Sequence, residues 1–349
     1  MAETCLTVDL NAIAANHSAL DALSSHVVET AAVLKANAYG LGIEKVGRKF
    51  LEKSVRTFFV ATTEEAAALA DVIGPDAHIY VFGGFLPQDK ALFQNYDFIP
   101  LLNSIDQVRA YIEHPNQSGF GLQIDTGMNR LGMEEEELRG ALNILGDRRP
   151  ELVISHLACA DDPTHKMNGA QLAEFHRLSD GMNWRRSLAA TGGTLLGAEY
   201  HFDVTRPGIG LYGGAPFQKA TSVIRLDIPV IQTRHVAIGE SVGYGSTWVA
   251  ERPSVVATLS AGYADGLLRT LGNGHVDLFA DTIRCPLVGR VSMDLLTVDV
   301  TDLDHVPDYM TLLNSEQTVD DLAAAAGTIG YEFLTGLGAR YQRRYVGAV

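Results

Sequence analysis

Short apolar runs recur along the first two thirds of the chain, and a longer stretch with helical spacing follows each. The runs are TAAVLK (30–35), RTFFVA (56–61), AHIYVF (77–82), DFIPLL (97–102), GFGLQI (119–124), ELVISH (151–156), RRSLAA (185–190) and HFDVTR (201–206). Segments such as TEEAAALADVI and NSIDQVRAYI between them carry helical periodicity. Continuous apolar runs, rather than alternation, are what parallel strands buried on both faces require. Eight strand–helix units in about 200 residues predict an α/β architecture, a (β/α)8 TIM barrel. An open doubly wound sheet produces the same alternation and stays open at this level.

After residue 220 the helical pattern fades. SVVATLSAGY, GHVDLFAD and DLLTVDV alternate or are β-branched, with Gly, Pro and Asp between them. This predicts a mostly-β C-terminal domain. The expected division is 1–226 for the barrel and 227–349 for the β domain, with TSVIRLDIPVIQ as the crossover.

Composition narrows the function classes. Apolar residues make up 46% of the 349 residues, enough for a real core. The formal net charge is −15 with no basic run, which argues against nucleic acid or an anionic membrane as partner. The three cysteines, Cys5, Cys159 and Cys285, lie far apart with no CxxC pair. Neither a zinc ribbon nor a disulfide framework is expected, no metal is implied, and a reducing cytoplasm is the default. The start, MAETCLTVDLNAIAANH, lacks the charged-then-apolar order of a secretory signal, and no apolar stretch is long enough to span a bilayer.

A barrel places functional residues at the C-terminal ends of its strands. Lys35, Asp125, His156, Thr191 and Arg206 stand at or just past those ends. A lysine in an apolar mouth has its charged form destabilised, so its pKa falls and its amine becomes nucleophilic. That suits a Schiff base with a substrate carbonyl or with pyridoxal phosphate. The bland alternatives are a structural ion pair or a snorkelling cap.

RPGIGLYGGAP (206–216) suits a phosphate, because backbone N–H groups at a glycine-rich turn can ring an anion. Gly208, Gly210 and Gly213 also spell G-x-G-x-x-G, with Asp227 about 20 residues on, the pattern of a dinucleotide site. The context opposes that reading. Pro216 would disrupt the helix the fingerprint must open, and the segment ends the alternating region instead of starting it. In the β-rich part, SAGYADGLLR sets Tyr263 among small residues, and VGRVSMDLL brings Arg290, Met293 and Asp294 together. Singly, such a tyrosine or methionine is more often a packing residue.

The ordered series VLKANAYG, QIDTGMNRLG, SHLACAD, RPGIGLYG, VGYGSTW, GYADG, GRVSMD and IGYE covers essentially the whole chain. It resembles the alanine racemase family: isomerases with an N-terminal barrel, a C-terminal β domain and pyridoxal 5'-phosphate as cofactor. The resemblance implies that Lys35 carries the cofactor through a Schiff base and acts as one catalytic base. Tyr263 would be the other, reaching into the barrel of a partner subunit. Racemisation removes a proton from one face of Cα and returns it on the other, so two acid–base groups on opposite faces are needed. His156 would stand near that tyrosine. Arg206 would face the pyridine nitrogen, and an arginine there donates a hydrogen bond and keeps its proton. Arg130 would contact the cofactor's phenolic oxygen or the substrate carboxylate. Tyr39, Thr191, Gly208, Ile209 and Tyr331 match phosphate-holding positions. Met293 would line the substrate pocket, and Tyr331, Arg290 and Asp161 its entrance.

The chain departs from the family pattern at two places. Gln123 stands where many members have a carbamylated lysine, so the usual negative partner of Arg130 is missing, and the Gln123 amide or a chloride beside it would take that place. Ala190-Thr191 replaces the common Asn-Ser, which keeps a hydroxyl and loses an amide. The resemblance further implies a homodimer with shared active sites, a small amino acid as substrate, and a cytoplasmic role in D-alanine supply for the cell wall or in alanine catabolism. Three alternatives remain at this level. One is a serine or broad-specificity racemase. The second is a barrel decarboxylase of basic amino acids, for which Cys285 is the only available second-domain cysteine. The last is a non-enzymatic cofactor-binding barrel, which the segment 227–349 argues against.

Overall fold

The structure, a computed structural model, describes residues 3–114 and 119–347. The chain divides into two compact units, Ile13–Ala220 and the pair Met1–Ala12 with Thr221–Val349.

In the first unit each of the eight apolar runs contains a strand. Seven of these strands pair in parallel in chain order: Ala32–Val33, Thr57–Val60, His78–Val81, Ile99–Leu102, Gly121–Gln123, Leu152–Ile154 and Arg186–Ser187. The eighth, Val204–Thr205, pairs in parallel with Glu29–Thr30, which leads into the first. Backbone bonds complete the ring. Asp203 and Arg206 donate to the carbonyls of Arg186 and Ala189, while Ala31 and Val33 donate to those of Thr205 and Pro207, at 2.8–3.1 Å. Among the described residues closure leaves no edge strand in this unit, which distinguishes the barrel from the open sheet.

The strands are buried throughout, as continuous apolar runs require: Phe58, Phe59, Val60, Leu101, Leu102 and Leu122 have no exposed surface. Helices begin where a hydroxyl can accept an orphan amide. Thr62 accepts from the Glu65 N–H before the helix Thr63–Ile73, and Ser104 accepts from the Gln107 N–H before Ile105–Ile112.

The second unit is an eight-stranded sheet built around one long strand, Ile224–Val236. That strand pairs antiparallel with Cys5–Asp9, Tyr309–Leu313 and Ser254–Leu259. Cys5–Asp9 also pairs in parallel with Gln342–Val346. The expected division at 226/227 therefore differs from the observed one in two ways. The supposed crossover TSVIRLDIPVIQ is mostly strand in the β unit, and the first twelve residues belong to that unit rather than to the barrel. The reason is non-local pairing. Leu6 and Val8 are wholly buried between strands more than 200 residues away in sequence, a relation no local pattern reveals.

Candidate active site

The first barrel strand runs out at Leu34, whose N–H donates to the Phe59 carbonyl at 2.8 Å. Lys35 follows, partly buried, with Nζ 5.9 Å from the centre of the Phe82 ring. The chain then turns in the left-handed sense. Ala36, Asn37, Ala38 and Tyr39 all have φ between 53° and 55°. For L-residues this costs about 1–2 kcal/mol each, so four in a row need strong local support. Ala38 donates to the Leu34 carbonyl, Gly40 to that of Ala36 and Gly42 to that of Asn37, all within 2.9 Å. The Asn37 side chain accepts from the Ile43 N–H at 2.8 Å. Glu65 completes the clamp: one carboxylate oxygen takes the Ala36 N–H at 2.6 Å and the other the Ala61 N–H at 2.8 Å.

Glu65 escaped the sequence reading. Thr62-x-x-Glu65 has the spacing of a capping box, in which the glutamate would return to the Thr62 N–H. Here the carboxylate instead ties the ends of two barrel strands beside Lys35.

The left-handed turn points Tyr39 at the eighth strand. Its ring stacks on Tyr212 at 4.6 Å, and the Tyr212 hydroxyl donates to the Val33 carbonyl at 2.9 Å. A Cβ on Gly208 would lie 2.3 Å from the Tyr39 hydroxyl, so only glycine lets backbone and phenol approach this closely. The Gly208 and Gly210 amides both point at Thr191 Oγ1, at 3.0 and 3.2 Å, with Ile209 buried between them. Tyr39, Thr191, Gly208 and Ile209 thus form one cradle. G-x-G-x-x-G encloses a single 3-10 turn, Ile209–Tyr212, and the next element is the strand Ile224–Val236, not a helix. Asp227 is engaged by Arg225 and Thr311 in the β unit. The dinucleotide context is absent.

Arg206 ends the eighth strand and is 2% exposed. Nη1 donates to Ser187 Oγ at 2.8 Å and Nη2 to the Ser155 carbonyl at 2.7 Å. Burial pushes its pKa down to about 9, so it remains a cation at neutral pH. Gln171, with no exposed surface, fixes the strand ends beneath it. Its side-chain amide donates to Thr126 Oγ1 and the His156 carbonyl and accepts from the Ala158 N–H. Gln171 also went unnoticed in the sequence, because a polar residue on a helix normally reads as solvent-facing.

His156 is pushed down to about 3, first by burial and then by Arg206, Arg130 and Lys35. It is therefore a neutral imidazole. Lys35 also has its pKa lowered, first by burial and then by Arg130 and Arg206, against which Glu65 raises it. Arg130 sits exposed on the loop after the fifth strand. Asp125 holds that loop by accepting from the Gly127 and Met128 amides, and the Met133 N–H closes it onto the Gln123 carbonyl. The Gln123 amide donates to the Leu131 carbonyl at 3.1 Å, so it braces the Arg130 loop through its backbone. Ala190 offers its carbonyl to the N–H and hydroxyl of Thr194. Asp161 is exposed on the loop after the sixth strand.

The barrel unit thus brings together Lys35, Tyr39, Arg130, His156, Thr191, Arg206, Gly208 and Ile209. The β unit holds the rest. Tyr263, 43% exposed, and Met293, 53% exposed, are neighbours there: the Tyr263 and Ala264 amides donate to the carbonyls of Ser292 and Met293 at 3.0 and 2.9 Å. A Cβ on Gly262 would lie 2.3 Å from the Ser292 carbonyl, which accounts for the first glycine of GYADG. Arg290 lies partly buried three residues before Met293, and Tyr331 lies partly buried on the separate helix Gly330–Gly336. Cys285 is buried on the strand Ile283–Pro286, where burial pushes its thiol up to about 11, so it is no active-site nucleophile.

A closed (β/α)8 barrel with a basicity-suppressed lysine at its mouth, a backbone-amide cradle and a buried arginine defines a barrel enzyme whose chemistry centres on an amine. Comparison with known proteins makes this specific. Residues 8–216 match the family model described as alanine racemase, N-terminal domain, and residues 223–345 match alanine racemase, C-terminal domain. The chain is 54% identical over its full length to an alanine racemase from Dinoroseobacter shibae, with all of both chains covered. It is 41% identical to one from Rhizobium meliloti, covering 99% of this chain and 97% of the relative. Among solved structures it matches alanine racemase from Bartonella henselae with covalently bound pyridoxal phosphate, at TM-score 0.92 and 35% identity, covering 99% of this chain and 100% of that one. Biosynthetic alanine racemase from Pseudomonas aeruginosa matches at TM-score 0.92 and 36% identity, with 99% of each chain covered. The chain belongs to the alanine racemase family.

Two outcomes follow from the electrostatics. His156 resonances should stay constant between about pH 5 and 8; a titration near the ordinary 6.5 would contradict the neutral assignment. The unfolded imidazole gains its proton near 6.5 and the folded one only near 3. Its contribution to stability is therefore present above pH 6.5 and lost as the pH falls toward 3. Glu65→Gln should cost about 1–3 kcal/mol in chemical denaturation, because a backbone amide loses its acceptor. It should also lower the pH at which Lys35 reacts with an amine reagent; an unchanged reaction profile would remove Glu65 from the lysine's environment.

Proposed function

We propose that the protein interconverts L-alanine and D-alanine using pyridoxal 5'-phosphate. The observation that carries this reading is Lys35: a partly buried amine of lowered pKa at the barrel mouth, beside an amide cradle, in a chain of this family. The residues present fit the cofactor. Gly208 has no side chain where a Cβ would collide with the Tyr39 hydroxyl, and two amides converge beside the Thr191 hydroxyl. Tyr39, Thr191, Gly208 and Ile209, with Tyr331, would hold the phosphate. Arg206, buried and cationic, would meet the ring nitrogen and keep its own proton.

When bound, the cofactor makes the Cα–H of an attached amino acid acidic by delocalising the electron pair left behind. The protein supplies two proton carriers and a fixed orientation. Lys35 takes or returns the Cα proton on one face. Its lowered pKa enlarges the free-amine fraction at a given pH. Tyr263 serves the other face. Arg130 binds the substrate carboxylate or the phenolic oxygen and holds Cα between the two. His156, neutral, would stand near Tyr263 without adding a further charge. Met293 bounds the substrate's side chain, and Asp161, Arg290 and Tyr331 line the approach.

Tyr263 and Met293 are exposed on the β unit, which supports a homodimer in which each copy lends them to the other's barrel. Among the described residues no helix is long and apolar enough to cross a membrane. A cytoplasmic enzyme supplying D-alanine for the cell wall, or serving alanine catabolism, follows from this reading.

Lys35→Ala should abolish racemisation and remove the absorbance band of covalently held pyridoxal phosphate. Tyr263→Phe should keep that band and lower turnover by about 10²–10⁴-fold, the usual contribution of a general base. Unchanged turnover in Tyr263→Phe would remove the tyrosine from the mechanism.

A further inference from the structure

Tyr263 and Met293 sit on two separate turns of the β unit, and neither turn is regular enough to hold a side chain in place by itself. The first, Tyr263–Asp265, is a single 3-10 turn. The second runs through residues 292–294, which form no helix or strand. Two backbone bonds already join them, from the Tyr263 and Ala264 amides to the Ser292 and Met293 carbonyls, and one side chain adds a second link. Arg340 reaches Asp265 with Nε at 2.6 Å to Oδ1 and Nη2 at 2.8 Å to Oδ2, and its Nη1 reaches Asp294 Oδ1 at 2.8 Å.

The two contacts differ in depth. Asp265 is 3% exposed, and its Oδ2 also accepts the Gly262 N–H at 2.9 Å, so the carboxylate fixes the entrance of the turn that carries Tyr263. Asp294 is exposed and follows Met293 directly. The segment that presents Arg340 is itself braced, because Gly338 donates to the Asp265 carbonyl at 2.9 Å and Arg343 donates to the carbonyls of Gly338 and Leu337.

We propose that Arg340 is a positioning residue: its guanidinium bridges Asp265 and Asp294 and so sets Tyr263 and Met293 relative to each other for proton transfer. This rests on the reading of Tyr263 as a catalytic base. Only arginine meets the geometry. The contact to Asp265 is bidentate, and a third N–H on the same plane serves Asp294; an ammonium offers no such fork. Proton transfer is sensitive to placement, and a misplacement of about 1 Å can cost about 10²-fold in rate.

The test is a double-mutant cycle on the enzyme loaded with pyridoxal phosphate. Turnover, cofactor absorbance and thermal stability are measured for Arg340→Ala, Arg340→Lys, Tyr263→Phe and the Arg340→Ala/Tyr263→Phe pair. Arg340→Ala should lower turnover by about 10²-fold and leave the cofactor band in place. Arg340→Lys should restore stability more than turnover, since it returns the charge without the fork. In the Tyr263→Phe background the further loss from Arg340→Ala should shrink to within about twofold, because the group it positions is gone. An undiminished loss in that background would overturn the inference while leaving Tyr263 in its role, as would turnover unaffected by Arg340→Ala. Should Arg340→Ala fail to fold, Asp294→Asn weakens the exposed half of the bridge and replaces it in the same cycle under the same criteria. A Tyr263→Phe enzyme with full turnover would defeat the reading of the base, and the inference with it.

Discussion

The site depends on a buried cation. Arg206 is almost wholly enclosed at the barrel mouth, burial lowers its pKa, and among the described residues no carboxylate pairs with it. Burying an unpaired charge is costly unless every hydrogen-bonding group around it is aligned. The barrel supplies that alignment through Ser187 and the Ser155 carbonyl, and Gln171 and Thr126 hold those strand ends from beneath. The consequences spread across the mouth. His156 is kept from taking a proton first by its burial and then by Arg206, and the Lys35 ammonium is disfavoured by burial and Arg130, with Arg206 adding to both. Burial and the two arginines together therefore bias two neighbouring groups toward their neutral, proton-accepting forms.

Backbone geometry supplies the other half. A right-handed turn after Lys35 would send Tyr39 elsewhere; the left-handed one stacks it on Tyr212 and brings its hydroxyl against Gly208. The cost of that turn is met by the Glu65 clamp and the Asn37 side chain. Glu65 also sets a negative charge against the two arginines that act on Lys35. The same carboxylate thus stabilises the shape of the turn and moderates its electrostatics.

The barrel was legible because parallel strands buried on both faces must be apolar throughout, as RTFFVA and DFIPLL are. Lys35, His156 and Arg206 were legible because each interrupts such a run where a barrel opens. What local pattern could not show was pairing at long range. CLTVD falls within the expected barrel segment 1–226, yet it inserts between Ile224–Val236 and Gln342–Val346. Glu65 hid inside a capping-box spacing, and Gln171 on a helix that reads as amphipathic. Arg340 stood among the basic residues of the C-terminal segment ARYQRR, with nothing local to mark its two aspartates. The expectation that the Gln123 amide, or a chloride beside it, would answer Arg130 came from the family pattern; in the structure the amide N–H donates to the Leu131 carbonyl.

The central claim is that two groups, Lys35 and Tyr263, serve opposite faces of Cα, one taking its proton while the other delivers a different one. The most direct measurement is exchange in heavy water: purified protein with pyridoxal phosphate and L-alanine, with loss of the α-proton followed by NMR and the enantiomers resolved on a chiral column. The account predicts deuterium at Cα together with the appearance of D-alanine. Exchange without D-alanine would mean that one face only is served, and would contradict the two-base account.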